Sequence, residues 1–161
     1  SGPIMLKKEI KLSNEMNAED VSNQLSKIGS ETISDCLDLI ETSKAKFIEQ
    51  DQSEATYAKK IDKGEAKINW KEDALKIIAK INGLYPNPGV WFLFQGERYK
   101  ILRATLSEAE GQPGKVLDDN FTIACGVKSI KIQEIQRQGR NKQKAKEFLL
   151  GSKIKKDLVL S

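Results

Sequence analysis

The 161-residue sequence contains no histidine, and this absence excludes more chemistry than any other feature of the composition. Histidine is the commonest general acid and base near neutral pH and a frequent metal ligand. Only two cysteines are present, Cys36 and Cys125, far apart in the sequence and without a C-x-x-C neighbour. Neither a zinc site nor a redox-active cysteine pair is supported. We predict that both cysteines are small core residues and that the protein binds no metal.

Signals for membrane insertion and secretion are also missing. No apolar run approaches the roughly 20 residues that a membrane-spanning helix requires. The opening SGPIMLKKEI does not place a cationic region before an apolar one, as a signal peptide would. Hydrophobic residues make up 39% and charged residues 31% of the chain, which is typical of a soluble globular protein. We therefore expect a cytoplasmic protein without a membrane partner.

Glycine-rich phosphate loops are absent, since neither G-x-G-x-x-G nor a Walker sequence occurs. The acidic pair Asp118 and Asp119 is predicted to face water in a turn and not to catalyse. Any catalysis by this chain would have to use carboxylates, lysine or tyrosine.

The charges that are present are unevenly distributed. The chain carries 27 basic and 23 acidic side chains. Residues 1–50 hold six basic and nine acidic side chains, whereas residues 126–161 hold ten basic and three acidic ones. The basic segment is typical of a protein that binds a polyanion such as nucleic acid. A solvated lysine-rich surface would have the same charge, so charge alone leaves both interpretations open.

The first fifty residues predict a strand and a helical segment. PIMLKKEIKL alternates apolar residues with lysines, which favours a strand. Asn14 or Asn17 offers an N-cap, and an apolar stripe from Val21 to Ile40, interrupted near Gly29, predicts two short helices or one bent helix. These elements cannot enclose a core. We expect them to be the tail of a larger domain and to expose an apolar surface in isolation.

Residues 65–161 predict a helix followed by a small barrel. Asn69 and Glu72 can form a capping box, Gly83 suits a left-handed C-cap, and the prolines of YPNPG prevent the helix from continuing. Five strands are predicted at VWFLF, RYKILRATL, KVLDD, FTIACG and SIKIQEIQ, the first two joined by the turn QGE. This pattern favours a five-stranded barrel of the OB type. NKQKAKEFLLGS predicts a closing helix.

Aromatic residues are few, at 6% of the chain, and those beside the basic residues are predicted to be buried. They are Trp70, Tyr85, Trp91, Phe92, Phe94 and Tyr99. A protein that binds single strands without sequence preference normally stacks bases on exposed rings. Buried rings instead favour a grip on the backbone of a structured RNA that is recognised by shape.

Several motifs taken together resemble one family. TYAKKI, INW, NGLYPNPGVW, a G-x-x-x-K-I-L hairpin, PGKVL, IACG and IKIQEIQRQGRNKQKAKEFLLG follow in this order between Gln50 and Gly151. Their order and spacing resemble the C-terminal half of bacterial methionyl-tRNA formyltransferases, and the resemblance covers nearly the whole chain. It implies three parts: the α/β end of a Rossmann-like formyltransferase domain at residues 1–49, a basic interdomain linker at residues 50–64, and an OB-like tRNA-binding domain at residues 65–161.

The resemblance implies transfer of a formyl group from 10-formyltetrahydrofolate to the α-amino group of initiator methionyl-tRNA, by an enzyme that is a monomer when intact. In this family an Asn, a His and an Asp act together, and the Asp stands in an Asp-[Ser/Thr]-Gly turn. Ser1 and Gly2 match the last two positions of that turn. The Asp would therefore precede Ser1. We expect no catalytic residue in this chain, no activity from the 161 residues alone, and no folate bound by them.

The candidate RNA-binding residues are lysines and arginines that could neutralise phosphates. By resemblance, Lys59, Lys60 and Lys63 belong to a basic linker beside the tRNA acceptor stem. The candidates on the predicted barrel are Arg98, Lys100, Arg103, Lys128, Lys131, Arg137, Arg140 and Lys142.

Two alternative functions stay open. One is a self-standing RNA-binding OB module without enzymatic activity. The other is a related formyltransferase that acts on a small substrate such as a nucleotide sugar, although the basic balance of residues 126–161 favours tRNA.

Overall fold

The computed structural model describes residues 2–161, apart from the side chain of Lys63. These residues form two compact units, one that ends at Lys60 and one from Ile61 to Ser161. The division falls inside the segment 50–64 that the sequence predicts to be a linker.

The first unit is dominated by one helix, α1, Ala18–Glu41. Its N-cap is Asn17, whose side chain accepts hydrogen bonds from the backbone N–H groups of Glu19 and Asp20, while the Asp20 carboxylate accepts from the Asn17 N–H. This capping box satisfies N–H groups that the first turn leaves without partners. The helix continues through Gly29, so the predicted interruption there is wrong. A glycine inside a helix costs roughly 1 kcal/mol but does not stop the backbone ladder.

The strand predicted at the start of the chain is reduced to a single bridge. Ile4 and Ile48 exchange two backbone hydrogen bonds of 2.8 and 2.9 Å, and the Gln50 side chain donates to the Gly2 carbonyl at 2.7 Å. Alternation alone cannot make a strand, because its backbone groups require a neighbouring strand as partner.

No residue of α1 is buried, and its apolar stripe is largely exposed. Leu25 is 49% exposed, Ile33 59%, Leu37 60% and Ile40 53%. Among the described helices, none combines the length and the apolar character needed to cross a membrane.

The second unit is built on a five-stranded antiparallel sheet. Its strands are β1 Val90–Phe94, β2 Glu97–Ser107, β3 Thr122–Ala124, β4 Ser129–Arg137 and β5 Lys142–Lys144. The spatial order is β1-β2-β4-β3, and β5 also pairs with β4. β3 lies along the first residues of β4 and β5 along the last, so both occupy the same edge. Such a sheet is consistent with the OB-like fold predicted for this part of the chain, whereas the Rossmann-like tail stays a prediction.

Four of the five predicted strands are confirmed, and the fifth lies elsewhere. KVLDD contributes only isolated bridges, from Lys115 to Val159 and from Val116 to Ile123. The fifth strand is β5, which the sequence pattern assigned to the start of a helix. Its residues KQK are all exposed and have no apolar alternation. They form a strand because the edge of β4 beyond β3 offers unpaired backbone groups.

Two helices cover the inner face of the sheet. Helix α2, Ala74–Gly83, packs against β2, and α3, Ala145–Gly151, packs against β4. Fully buried side chains from both layers form the core, among them Ile77, Ile81, Phe92, Ile101, Phe121, Ile130, Ile132 and Ile135. The sheet is therefore fixed from its inner side, which leaves the outer face open to a partner.

Helix α2 begins later than the sequence predicts. Its N-cap is Asp73, whose carboxylate accepts the Leu75 N–H at 2.7 Å. Asn69, the predicted cap, instead accepts the Lys71 N–H at 3.2 Å in the preceding turn. The helix ends at Gly83, but the left-handed C-cap predicted there is wrong, because Gly83 is the last helical residue and the C-cap is Leu84 with a φ of −98°.

The two cysteines differ in environment. Cys125 is 3% exposed, and this burial raises the pKa of its thiol to about 11. Cys36 is only half-buried. The predicted core position is thus confirmed for Cys125 and wrong for Cys36, because α1 has no buried residue.

Candidate nucleic-acid interface

The sheet has an inner, apolar face and an outer, basic face. Along β2, Tyr99 and Ile101 are buried, whereas Arg98 is exposed and Lys100 half-buried. Successive side chains of a strand point to opposite faces, so Arg98 and Lys100 lie on the outer face. A β-bulge near Leu102 interrupts the pairing of β2 with β4. Because of the bulge, Ile101 and Leu102 are both buried, and the following residue, Arg103, is exposed.

Strand register places basic residues from several strands in line. Lys142 pairs with Gln136, Gln136 with Lys100, and Lys100 with Trp91. Directly opposite residues of antiparallel strands share a face, so these four side chains form one row across the outer face. We call it the Lys100 row.

Two shorter rows run beside the Lys100 row. In one, Arg103 pairs with Glu134, which pairs with Lys144. In the other, Thr105 pairs with Lys131. Three strands therefore contribute cations to one surface, although these residues are scattered over more than forty positions of the sequence.

Five predicted RNA-binding residues meet on the outer face: Arg98, Lys100, Arg103, Lys131 and Lys142. None of them forms an ion pair with another residue of the described part of the chain. The Arg98 guanidinium carbon lies 4.0 Å from the centroid of the Trp91 ring, a cation–π contact that leaves the positive charge uncompensated.

Arg137, in contrast, is held by a carboxylate. Its guanidinium contacts both Glu97 oxygens at 2.6 and 2.5 Å, and the Tyr99 hydroxyl donates to the same carboxylate at 3.0 Å. The hydrogen bond from Arg137 is the largest cause of the lowered pKa of Glu97. The same bond raises the pKa of Arg137. Burial, together with the bond to Glu97, raises the pKa of Tyr99.

The remaining predicted residues lie apart from the outer-face cluster or carry a partner. The Lys128 ammonium contacts Glu108 at 3.0 Å. Arg140 is exposed in the turn after β4, and its charge helps lower the pKa of Glu97. Lys59 and Lys60 are exposed residues of the first unit. Lys63 begins a short 3-10 helix, and its side chain lies outside the described part of the structure.

Trp91 is the functional candidate that sequence reasoning missed. Trp70, Phe92 and Tyr99 are buried as predicted, but Trp91 is half-buried and stands in the Lys100 row. The alternation of VWFLF could have revealed it, because burial of Val90 and Phe92 puts the intervening ring on the opposite face. Lys144 on the outer face was also not predicted. No alternation in the sequence could have revealed it, since its segment was predicted to be a helix.

Asp118 of the acidic pair organises a turn. Hydrogen bonds from Thr122 to the Asp118 carboxylate measure 3.0 and 2.8 Å, and one from the Asn120 N–H measures 2.9 Å. Partial burial opposes ionisation, but these bonds and the charge of Lys131 lower the pKa of Asp118. Among residues 2–161, no three acidic or cysteine side chains lie close enough together to hold a metal ion.

Comparison with known proteins identifies the family of the second unit. Residues 60–153 match the family model described as formyl transferase, C-terminal domain. The chain belongs to the formyl transferase C-terminal domain family. The resemblance found in the motifs is thereby confirmed.

Curated relatives of this formyl transferase chain match almost all of it. It is 48% identical over 155 residues to the methionyl-tRNA formyltransferase of Pelagibacter ubique (strain HTCC1062), covering 96% of the chain and 50% of that protein. It is 37% identical over 164 residues to the methionyl-tRNA formyltransferase of Rhodopseudomonas palustris (strain BisB18), covering 99% of the chain and 53% of that protein. The chain thus spans about half the length of these relatives.

Solved structures of HypX from Aquifex aeolicus share the fold. A variant matches with a TM-score of 0.69 at 18% identity, over 92% of this formyl transferase chain and 28% of HypX. HypX in complex with tetrahydrofolic acid matches with a TM-score of 0.61 at 20% identity, over 79% and 24% respectively. At these identities the likeness concerns the fold.

Proposed function

We propose that this chain is the C-terminal part of a methionyl-tRNA formyltransferase and that it supplies the grip on tRNA. The whole enzyme would transfer a formyl group from 10-formyltetrahydrofolate to the amino group of initiator methionyl-tRNA in the cytoplasm. Relatives of that name support this proposal over nearly the whole chain. The chain has no histidine with which to manage the amine proton. Its own contribution would therefore be binding.

The observation that carries the proposal is the set of outer-face cations that form no ion pair among the described residues, although Glu134 lies beside Arg103 and Asp118 near Lys131. A cation already held by a carboxylate gains little from a phosphate, because the ion pair must first be broken. Arg98, Lys100 and Lys142 have no such competitor among the described residues. Lysine and arginine contacts to phosphates position an RNA without reading its bases, which suits a helical, A-form segment recognised by shape.

Binding of the tRNA by this surface would contribute to catalysis without contact with the reacting atoms. Binding the body of the tRNA far from the reacting atoms supplies free energy that holds the aminoacyl end in place. Correct placement of the α-amino group beside the formyl carbon converts an encounter of two molecules into a step within one complex. A chain with the grip alone should bind tRNA and leave it unformylated.

The test is the salt dependence of tRNA binding. A triple variant, R98Q/R103Q/K131Q, removes three outer-face cations. We expect the slope of log K against log salt to fall by about three, or about one per lost contact. The matched control, K71Q/K76Q/K156Q, removes three exposed lysines that lie off the outer face and should keep the wild-type slope. Equal slopes for both triples would mean that the outer face is ordinary solvated surface.

A second experiment tests the proposal that this part of the enzyme binds tRNA without catalysing formylation. The 161-residue chain is mixed with methionyl-tRNA and 10-formyltetrahydrofolate, and formylmethionyl-tRNA is measured by mass spectrometry. We expect none above the rate without protein. Turnover would contradict the proposal that this part only binds.

A further inference from the structure

A cleft of about 530 Å³ opens between the turn that follows α2 and the Lys100 row. Its lining includes Tyr85 and Asn87 on the side of the turn. Lys100, Gln136 and Lys142 line it from β2, β4 and β5, and Asn141 lines it from the turn before β5. The described residues that line it include two cations and no carboxylate. The cleft is therefore electropositive, and no acidic side chain in its lining competes for an anion.

The stem of Lys100 lies beside a glycine. Gly89 has a φ of +74°, and its N–H donates to the Leu84 carbonyl at 2.9 Å. A Cβ at this position would lie 3.1 Å from Lys100 Cδ and 3.1 Å from the Pro86 carbonyl oxygen. Glycine at 89 thus provides the space that the half-buried stem of Lys100 occupies, and this packing limits the conformations open to the lysine.

The part of the cleft between the two lysines is held by a hydrogen bond. Gln136 lies between Lys100 and Lys142 in the Lys100 row, and its side-chain amide donates to the Arg140 carbonyl at 2.9 Å. That bond ties β4 to the turn leading into β5. Two steps across antiparallel strands separate the Cα atoms of the lysines by roughly 10 Å. Two flexible ammonium groups can reach one anion across that distance.

We propose that this cleft is a phosphate subsite, in which Lys100 and Lys142 hold one phosphodiester of the bound RNA from opposite sides. The inference rests on the proposed function and goes beyond it by fixing one contact point. The amides of Asn87 and Asn141 supply hydrogen-bond donors at the rim. A phosphate there aligns the RNA backbone with the Lys100 row, because the row continues from the cleft toward Trp91.

Gly89→Ala tests the role of the glycine without changing any charge. The added methyl group would press on Lys100, and the left-handed backbone adds strain. Gly96→Ala is the matched control, since Gly96 has a φ of +79° with no atom within 4 Å of its Cβ. Both variants carry the backbone strain, and only the first disturbs Lys100. Urea unfolding of both establishes that each is folded under the binding conditions.

Binding of an initiator tRNA transcript is then measured against salt for each protein. We expect the K100Q/K142Q double variant to lower the slope by about one, because the two lysines neutralise a single phosphate, and each single variant to lower it by less. G89A should weaken binding less than K100Q does, and adding G89A to K100Q should change nothing further, because the added methyl group acts on binding only through Lys100. G96A should bind like the wild type. If G89A does not fold, the two lysine variants and their double carry the test.

The outcomes separate the two proposals. A wild-type slope for the K100Q/K142Q double variant, with a reduced slope for R98Q/R103Q/K131Q, would overturn the subsite and leave the proposed RNA binding intact. Absence of tRNA binding by the wild-type chain would overturn the proposed function and the subsite with it.

Discussion

Arg98 and Arg137 carry the same charge, yet their surroundings separate them at the scale of single residues. Arg137 meets both oxygens of Glu97, whereas Arg98 stacks on the Trp91 ring. A guanidinium on an aromatic face keeps its hydrogen-bond donors for a phosphate. The number of basic residues in the sequence therefore overstates the number of cations that are free to bind a phosphate, including one of the proposed RNA partner.

Removing Arg137 should raise the pKa of Glu97. The pKa of Glu97 lies below its ordinary value of 4.5, chiefly because of the hydrogen bond from Arg137. A lowered pKa stabilises the folded state above pH 4.5, and the contribution disappears as the pH falls through the folded-state pKa. We expect R137Q to shift the Glu97 carboxyl titration, followed by NMR, back toward 4.5.

Arg140→Gln is the control for this titration, because Arg140 acts on Glu97 only through its charge. Its effect should be smaller than that of R137Q. Equal shifts in the two variants would show that the hydrogen bonds contribute nothing beyond net charge.

At the scale of elements, helix α2 shows how local signals compete. INWKED offers two caps, Asn69 and Asp73, and a capping-box pattern favours the first. The structure uses the second, because the preceding backbone is needed elsewhere. The Ile68 N–H donates to the Trp91 carbonyl at 2.8 Å, and Asp73 bridges to Val127. Residues engaged with other segments cannot also adopt helical geometry.

Asp73→Ala should destabilise the second unit by about 1 kcal/mol, the typical cost of losing an N-cap. The measurement is urea unfolding followed by circular dichroism. Asn69→Ala, which removes only the longer turn hydrogen bond, is the matched comparison and should cost less. A larger loss for N69A than for D73A would contradict the observed helix start.

At the scale of the whole molecule, the buried apolar residues are concentrated in one of the two units. All buried hydrophobic residues of the described structure lie between Ala66 and Leu160. The 24-residue helix α1 has none. Because apolar burial is the dominant favourable term in folding, the unit of residues 61–161 has the means to be stable by itself.

Limited proteolysis checks this distribution. Trypsin should cut first at the exposed Lys59 or Lys60 and leave a resistant fragment that begins near Ile61, identified by intact mass. In a K59Q/K60Q variant the first cut should move to another lysine without loss of the resistant fragment. Survival of residues 1–50 in place of 61–161 would contradict the prediction.

The sequence by itself determined the elements whose signals are local. The hairpin of β1 and β2, the end of α2 at Gly83 and the Asn17 cap each depend on a few neighbouring residues, and the structure confirms them. The order and spacing of the motifs likewise identified the family. These elements could be predicted from the sequence because turn residues, helix caps and apolar alternation act between residues that are close together in the chain.

Only the tertiary structure decided which basic residues meet. Lys100 and Lys142 are 42 positions apart in the sequence, and their shared row follows from the register of three strands. The strand β5 exists because β4 has a free edge, and the stem of Lys100 lies in space that Gly89 leaves free. These arrangements depend on contacts between distant segments, and the composition and local periodicity of a segment carry no record of its distant partners.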